Sequence, residues 1–144
     1  NVRIHFLGRI DELSPLIQSQ VRDAEQLMQH NTGVKFNIAA NYGGQDEIVR
    51  AAKKIAAKVL NGQLDVERID EKIFDAELDT CDCPPVDLVI RTSGDMRVSN
   101  FLLWQSAYAE FWFTETAFPD FKPEEFLQAL SDFSKRDRRF GGLK

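Results

Sequence analysis

Residues Asp87-Leu-Val-Ile-Arg91-Thr-Ser-Gly94 decide the fold. Leu88, Val89 and Ile90 form a short apolar run without alternation, the pattern of a strand buried on both faces in a parallel sheet, and Thr92-Ser93-Gly94 stops it. A polar loop leads on to a predicted helix starting near Ser99 or Asn100, with Phe101, Leu102, Leu103, Trp104 and Ala107 making it mostly buried. Glu110-Phe-Trp-Phe113 reads as the next strand. Lys122-Pro123-Glu124-Glu125 opens a last helix that carries Phe126, Leu127, Leu130 and Phe133 on one face.

Upstream the same alternation repeats. Val2, Ile4 and Phe6 alternate with Arg3 and His5 up to Gly8, which predicts a strand beginning at the first residue. Ser14 is placed to cap a helix and Pro15 suits its first turn, while Ile17, Val21, Ala24, Leu27 and Met28 recur at spacings of three and four before Asn31 and Gly33. A strand from about Val34 to Ala40 runs into Gly43-Gly44, and Ile48, Ala52, Ile55 and Val59 mark another helix closed by Asn61-Gly62. Strands alternating with amphipathic helices predict an α/β fold with a largely parallel sheet flanked by helices. The ligand site of such a sheet lies beyond the carboxyl ends of its strands.

Composition limits what that site can serve. The chain has 144 residues, 43% hydrophobic and 28% charged, enough for one core and too evenly charged for a membrane span. Its net charge of −5 argues against a surface devoted to nucleic acid or anionic lipid, but leaves room for a local basic site. Residues 64–83 carry eight acids against Arg68 and Lys72, and read as short solvated helices ending at Pro84-Pro85. The rest of the chain is therefore slightly basic. Cys81 and Cys83 are too close in sequence for a disulfide closing a useful loop and supply only two thiolates, with His5 and His30 distant. They point to a reducing, cytoplasmic setting rather than to zinc.

The richest stretch for chemistry is Arg91-Thr-Ser-Gly-Asp-Met-Arg97-Val-Ser99-Asn100. Two arginines offer planar forks of donors matched to phosphate oxygens, and a helix start would add free backbone N–H groups. The same residues also allow Arg91 to pair with Asp95 while Ser99 merely caps its helix. Asn41-Tyr-Gly-Gly44 brings backbone close to a ligand or simply makes a turn. Glu110 stands before an aromatic strand, where an unpaired carboxylate is costly, so a cation or a basic side chain is expected beside it. The terminal bases Lys135, Arg136, Arg138, Arg139 and Lys144 face only Asp137, as a solvated helix end or as an arm reaching an anion. Trp104, Trp112 and the eleven Phe read as core rather than as a base-stacking platform.

The run DLVIRTSGDMRVSNFLLWQSAYAEFWF, with NIAANYGG upstream and FPDF and RRFGG downstream, closely resembles the cis-prenyltransferases. The resemblance covers nearly the whole chain and identifies residues 1–144 as the C-terminal part of a single cis-prenyltransferase domain whose first strands are missing. It implies Mg²⁺-dependent, repeated condensation of isopentenyl diphosphate onto an allylic diphosphate such as farnesyl diphosphate, with Z double bonds. The product would be a polyprenyl (undecaprenyl) diphosphate lipid carrier for cell-wall synthesis, made by a cytoplasmic homodimer, peripheral at the inner face of the membrane. By the same resemblance Arg91, Arg97, Val98 and Ser99 hold the diphosphate of isopentenyl diphosphate, and Glu110 helps to hold Mg²⁺. Arg139 and Gly141 belong to an arm that reaches the partner subunit's substrate phosphates, Asn41 to Gly44 have a structural role near the dimer and site, and Val34 lines the tunnel for the growing chain.

Two departures stand out. Asp95 replaces the Glu of many members, a side chain one methylene shorter. The D-G-N-G-R-W loop that binds the allylic diphosphate and supplies the essential Asp is absent from these residues, so the catalytic groups are expected outside them. A polypeptide beginning at Asn1 would hold half a site and be inactive alone. An alternative keeps the family and drops the catalysis, making this a non-catalytic subunit that lends its arm to a catalytic partner. Such subunits tend to have degraded substrate motifs, whereas Arg91, Arg97, Ser99 and Glu110 are all present. A generic dinucleotide-binding domain would need a G-x-G-x-x-G opening that the chain lacks.

Overall fold

The structure, a computed structural model, describes residues 1–137. The chain divides into two compact units, with the boundary between Cys83 and Pro84, where the Pro84-Pro85 pair blocks regular structure.

In the first unit β1 (Arg3–Leu7) and β2 (Lys35–Ala39) pair in parallel, with Arg3 opposite Lys35 and Leu7 opposite Ala39. Helix α1 (Pro15–Met28) makes the crossover that a parallel pair requires. Ser14 caps it, its hydroxyl accepting from the Ile17 N–H at 3.4 Å, and Pro15 occupies the first helical position. Helix α2 (Gly44–Leu60) ends at Asn61, and the short α3 (Glu71–Asp75) is capped by Asp70. Leu7, Val21, Ala51, Ile55 and Leu78 form the buried core. The predicted apolar stripe of α1 is only partly used: Val21 is buried, while Ile17 is 43% and Leu27 81% exposed, because nothing among the described residues covers that side of the helix.

The acidic segment is not simply a solvated face. Arg50 on α2 donates from Nη1 and Nη2 to both oxygens of Asp79, at 2.7 and 2.6 Å, and from Nε to Asp46 at 2.8 Å. Arg9, just past β1, grips Asp46 with Nε and Nη2 at 2.9 and 2.6 Å. Asp79 also accepts from the Gly8 N–H, so this ladder ties residues 64–83 to the end of β1. Within the same segment, Glu77 pairs with Lys58.

The ladder predicts a pH response. Hydrogen bonds from Arg9, then from Arg50, hold the Asp46 carboxyl far below the usual carboxylate range. Burial pushes the Asp79 carboxyl up, but the Arg50 fork and the Gly8 N–H outweigh it and leave the net direction downward. Depressed folded values mean that the stabilisation is complete above the unfolded value, about 4, and is lost as pH falls toward the folded values. Urea unfolding of the intact protein should therefore show stability declining below about pH 4, with a shallower decline in Asp46→Asn. Identical pH slopes in the two proteins would mean that the ladder contributes nothing to the acid response.

In the second unit β3 (Leu88–Arg91) and β4 (Glu110–Phe113) also pair in parallel, Leu88 opposite Glu110 and Arg91 opposite Phe113. Helix α4 (Pro123–Ser134) buries Ala129 and is tied to β4 by the Trp112 Nε1–H, which donates to Asp132 at 3.1 Å. Leu127, expected on its buried face, is 62% exposed.

The predicted helix over residues 99–107 does not form. Ser99, Asn100 and Leu102 have φ of 49°, 62° and 46°, left-handed values that a right-handed helix cannot incorporate. The segment instead makes successive turns, with the Phe101 N–H donating to the Val98 carbonyl and the Ser106 N–H to the Leu102 carbonyl. The crossover between β3 and β4 is thus a coil of turns. No described helix is long and apolar enough to cross a membrane.

Candidate functional site

At the carboxyl end of β3 the chain turns through Ser93 and Gly94, both left-handed at φ 71° and 74°. Their N–H groups donate to the carbonyls of Thr116 and Thr114 at 2.8 and 2.9 Å, which binds the loop to the segment leaving β4. Glu125, in the first turn of α4, accepts from the hydroxyls of Thr114 and Thr116 and holds that segment in turn. Glycine suits position 94, whose left-handed φ of 74° costs it no strain.

Held this way, the loop encloses a cleft of about 400 Å³ whose wall includes Arg91, Asp95, Arg97, Val98 and Ser99. Four predicted ligand-binding residues thus share one wall. Arg91 donates from Nη2 to Asp95 Oδ2 at 3.0 Å and from Nη1 to the Arg97 carbonyl. Arg97 Nη2 donates to the same Asp95 oxygen at 2.7 Å. The pairing reading of Arg91 holds, since it bonds Asp95, and its side chain also lines the cleft. Asp95 engages one nitrogen of each guanidinium, so each keeps further N–H donors for an anion, and the three side chains sum to one positive charge. Phe101 and Phe111 supply apolar wall. Ser99 does not cap a helix; its left-handed conformation makes it part of the turn.

The remaining predicted residues are not gathered there. Glu110 opens β4 opposite Leu88, so it sits three residues from the Arg91 end of the ladder, about 10 Å along the strand. Its Oε2 accepts from Arg136 Nη1 at 2.7 Å, and that nitrogen also donates to the Phe111 carbonyl at 2.9 Å. The cation expected beside Glu110 is, in this state, an arginine. The sequence marks Arg136 only as part of a basic terminus, since a pairing across 26 residues leaves no local pattern.

Val34 lies just before β2 and is 69% exposed. Asn41, at φ 48°, donates to the Arg9 carbonyl and to Glu12, which gives the Asn41–Gly44 stretch a turn-forming role. Arg139 and Gly141 lie outside the described residues.

Magnesium takes hard oxygen donors, commonly one or two carboxylates completed by phosphate oxygens and water. Glu110 suits such a set as one carboxylate. Among the described residues no group of three or more acids, histidines or cysteines could hold a metal by itself.

The family described as "Putative undecaprenyl diphosphate synthase" matches residues 1–141. Among similar proteins, the ditrans,polycis-undecaprenyl-diphosphate synthase of Haemophilus influenzae is 46% identical over 144 residues, all of this chain and 60% of that one. An isoprenyl transferase of Rhodopirellula baltica is 43% identical over 99% of this chain and 59% of its own. Among solved structures, lavandulyl diphosphate synthase from Lavandula x intermedia, in complex with dimethylallyl diphosphate, superposes with a TM-score of 0.95 at 42% identity, covering 98% of this chain and 61% of that one. A "probable undecaprenyl diphosphate synthase" from Campylobacter jejuni gives 0.83 at 34%, covering 98% and 64%. The chain spans about three-fifths of the length of these relatives. Matched along nearly its whole length by that family, the chain belongs to the undecaprenyl diphosphate synthase family of prenyltransferases.

Proposed function

We propose that the intact protein is a cis-prenyltransferase and that residues 1–144 carry the half of its site that holds isopentenyl diphosphate. The observation that carries this reading is the cleft beyond β3, where Arg91 and Arg97 stand on one wall with Ser99 beside them. Their forks bind the diphosphate and aim the homoallylic double bond at the C1 carbon of the allylic partner. The new carbon–carbon bond forms as the allylic diphosphate leaves, and loss of a proton sets the Z double bond. Mg²⁺ supplies charge neutralisation at the departing diphosphate. Glu110 is proposed as one of its carboxylate ligands. Arg139 and Gly141 are proposed to reach a partner subunit's phosphates in a homodimer, and Val34 to border the path of the growing chain. The product is then a membrane lipid, undecaprenyl diphosphate, used in cell-wall synthesis, while the enzyme itself is cytoplasmic and peripheral to the membrane. Residues 1–144 are proposed as the C-terminal part of one such domain. The exposed Phe36 on β2 and Leu27 on α1 support this, being apolar surface that further polypeptide would cover.

The test is to incubate the intact protein with farnesyl diphosphate, labelled isopentenyl diphosphate and Mg²⁺, and to separate products by chain length. Polyprenyl diphosphates with Z bonds are expected. No turnover alone, with stimulation of a second chain that carries the allylic site, would instead mark a non-catalytic subunit.

A further inference from the structure

Asp95 stands where an anion site has least use for it. Its Oδ2 accepts from Arg91 Nη2 at 3.0 Å and from Arg97 Nη2 at 2.7 Å, so a carboxylate lies between the two forks that line the cleft. A negative charge there repels a diphosphate and lowers the affinity of the wall it belongs to. Its benefit is therefore geometric. Two guanidiniums brought this close repel each other, and the shared oxygen offsets that repulsion. Among the described residues Asp95 is the side chain bonded to the Arg97 fork, which is otherwise largely open to solvent. Arg91 is braced twice, by Asp95 and by the Arg97 carbonyl, so the carboxylate ties the exposed arginine to the better-held one.

We infer that Asp95 is a positioning residue that clamps Arg91 and Arg97 together, so that the cleft holds a diphosphate less tightly but in one pose. The inference rests on the proposed seating of isopentenyl diphosphate in this cleft, and adds which residue sets its orientation. One oxygen bonded to both Nη2 atoms leaves the other N–H groups of each fork for the ligand. With the forks fixed, the diphosphate oxygens meet their donors in one arrangement and the carbon chain leaves them in one direction. Without the clamp each arginine follows the ligand independently. The diphosphate is then held more tightly in several poses, few of which aim the double bond at the allylic carbon.

The experiment uses the intact protein and its Asp95→Asn, Asp95→Ala and Asp95→Glu variants. Binding of inorganic diphosphate and of isopentenyl diphosphate is read by calorimetry, and kcat by turnover with farnesyl diphosphate, labelled isopentenyl diphosphate and Mg²⁺. Asp95→Asn removes the charge and keeps a neutral acceptor. Because the Asp95 side chain is 40% exposed and its charge is screened, both ligands should bind only about two- to fivefold more tightly. In the same variant kcat should fall about tenfold or more, since a small misplacement of a reacting group is costly. Asp95→Ala, which keeps no acceptor, should show the larger fall. Asp95→Glu keeps charge and acceptor and should stay close to the unsubstituted protein in both readouts. Affinity and turnover that move in opposite directions separate this role from a structural one, which would lower both. Weaker binding in Asp95→Asn, an unchanged kcat, or a loss of kcat that excess Mg²⁺ restores would overturn the role of Asp95 alone, the last by making it a cation ligand. Diphosphate binding indifferent to Arg91→Ala, or an unsubstituted protein without turnover, would overturn the proposed function itself, and the inference with it.

Discussion

Arg91→Ala in the intact protein is expected to weaken isopentenyl diphosphate binding about 30- to 150-fold, the equivalent of about 2–3 kcal/mol for losing charge-assisted hydrogen bonds from a guanidinium. The effect should be larger than that of Arg97→Ala, because the Arg91 side chain is 24% exposed and that of Arg97 67%. Less water around Arg91 makes each of its bonds to an oxyanion stronger. Arg91 also braces the loop through the Arg97 carbonyl and Asp95, so part of the loss is geometric. Arg91→Lys separates the two contributions: it keeps the charge and loses the fork, and should recover only a minor share of the affinity. The KM for the allylic diphosphate should stay within about twofold in all three variants, since the cleft is assigned to the other substrate. Equal losses for both substrates would mean that the substitutions had damaged the fold and not the cleft.

The second large effect concerns stability. Glu47, in the first turn of α2, is 1% exposed, accepts from the Tyr42 hydroxyl at 2.5 Å with Oε2, and accepts from the Asp79 N–H at 2.8 Å with Oε1. It joins the turn before α2 to the acidic segment. Glu47→Ala removes both acceptors, leaves two part-buried donors without these bonds and opens a void. Urea unfolding should show a loss of about 3 kcal/mol at unchanged slope. Glu47→Gln keeps a side-chain oxygen of nearly the same shape and should recover more than half. A loss below about 1 kcal/mol for the alanine variant would show that the network is dispensable.

These residues also show where sequence reading succeeds and where it stops. The strands at 3–7, 35–39, 88–91 and 110–113 are legible because period-two alternation, or a short apolar run bounded by turn residues, matches the geometry of a pleated strand and little else. The start of α1 and the end of α2 are equally plain, since Ser-Pro and Asn-Gly act locally. The helix expected over 99–107 rests on the same logic and fails. Its apolar residues suit a buried helix, but left-handed Ser99, Asn100 and Leu102 set the backbone, and only Asn100 hints at that conformation.

The site is half legible. Arg91, Arg97 and Ser99 lie within nine residues, so their convergence can be read directly. The partners Arg50 and Asp79, 29 residues apart, and Glu110 and Arg136, 26 apart, meet only through the tertiary fold and leave no periodic trace. Glu47 is hidden for a different reason. An acid in the first turn of a helix is accounted for by the dipole alone, so nothing in the sequence marks it as buried.

The claim on which the rest depends is that the loop after β3 receives the diphosphate of isopentenyl diphosphate. A crystal structure of the intact protein soaked with isopentenyl diphosphate tests it most directly. Diphosphate oxygens are expected within hydrogen-bond distance of the Arg91 and Arg97 guanidiniums and the Ser99 hydroxyl, with Asp95 still touching at least one arginine. A diphosphate seated elsewhere, while Asp95 keeps both arginines and the cleft stays empty, would contradict it.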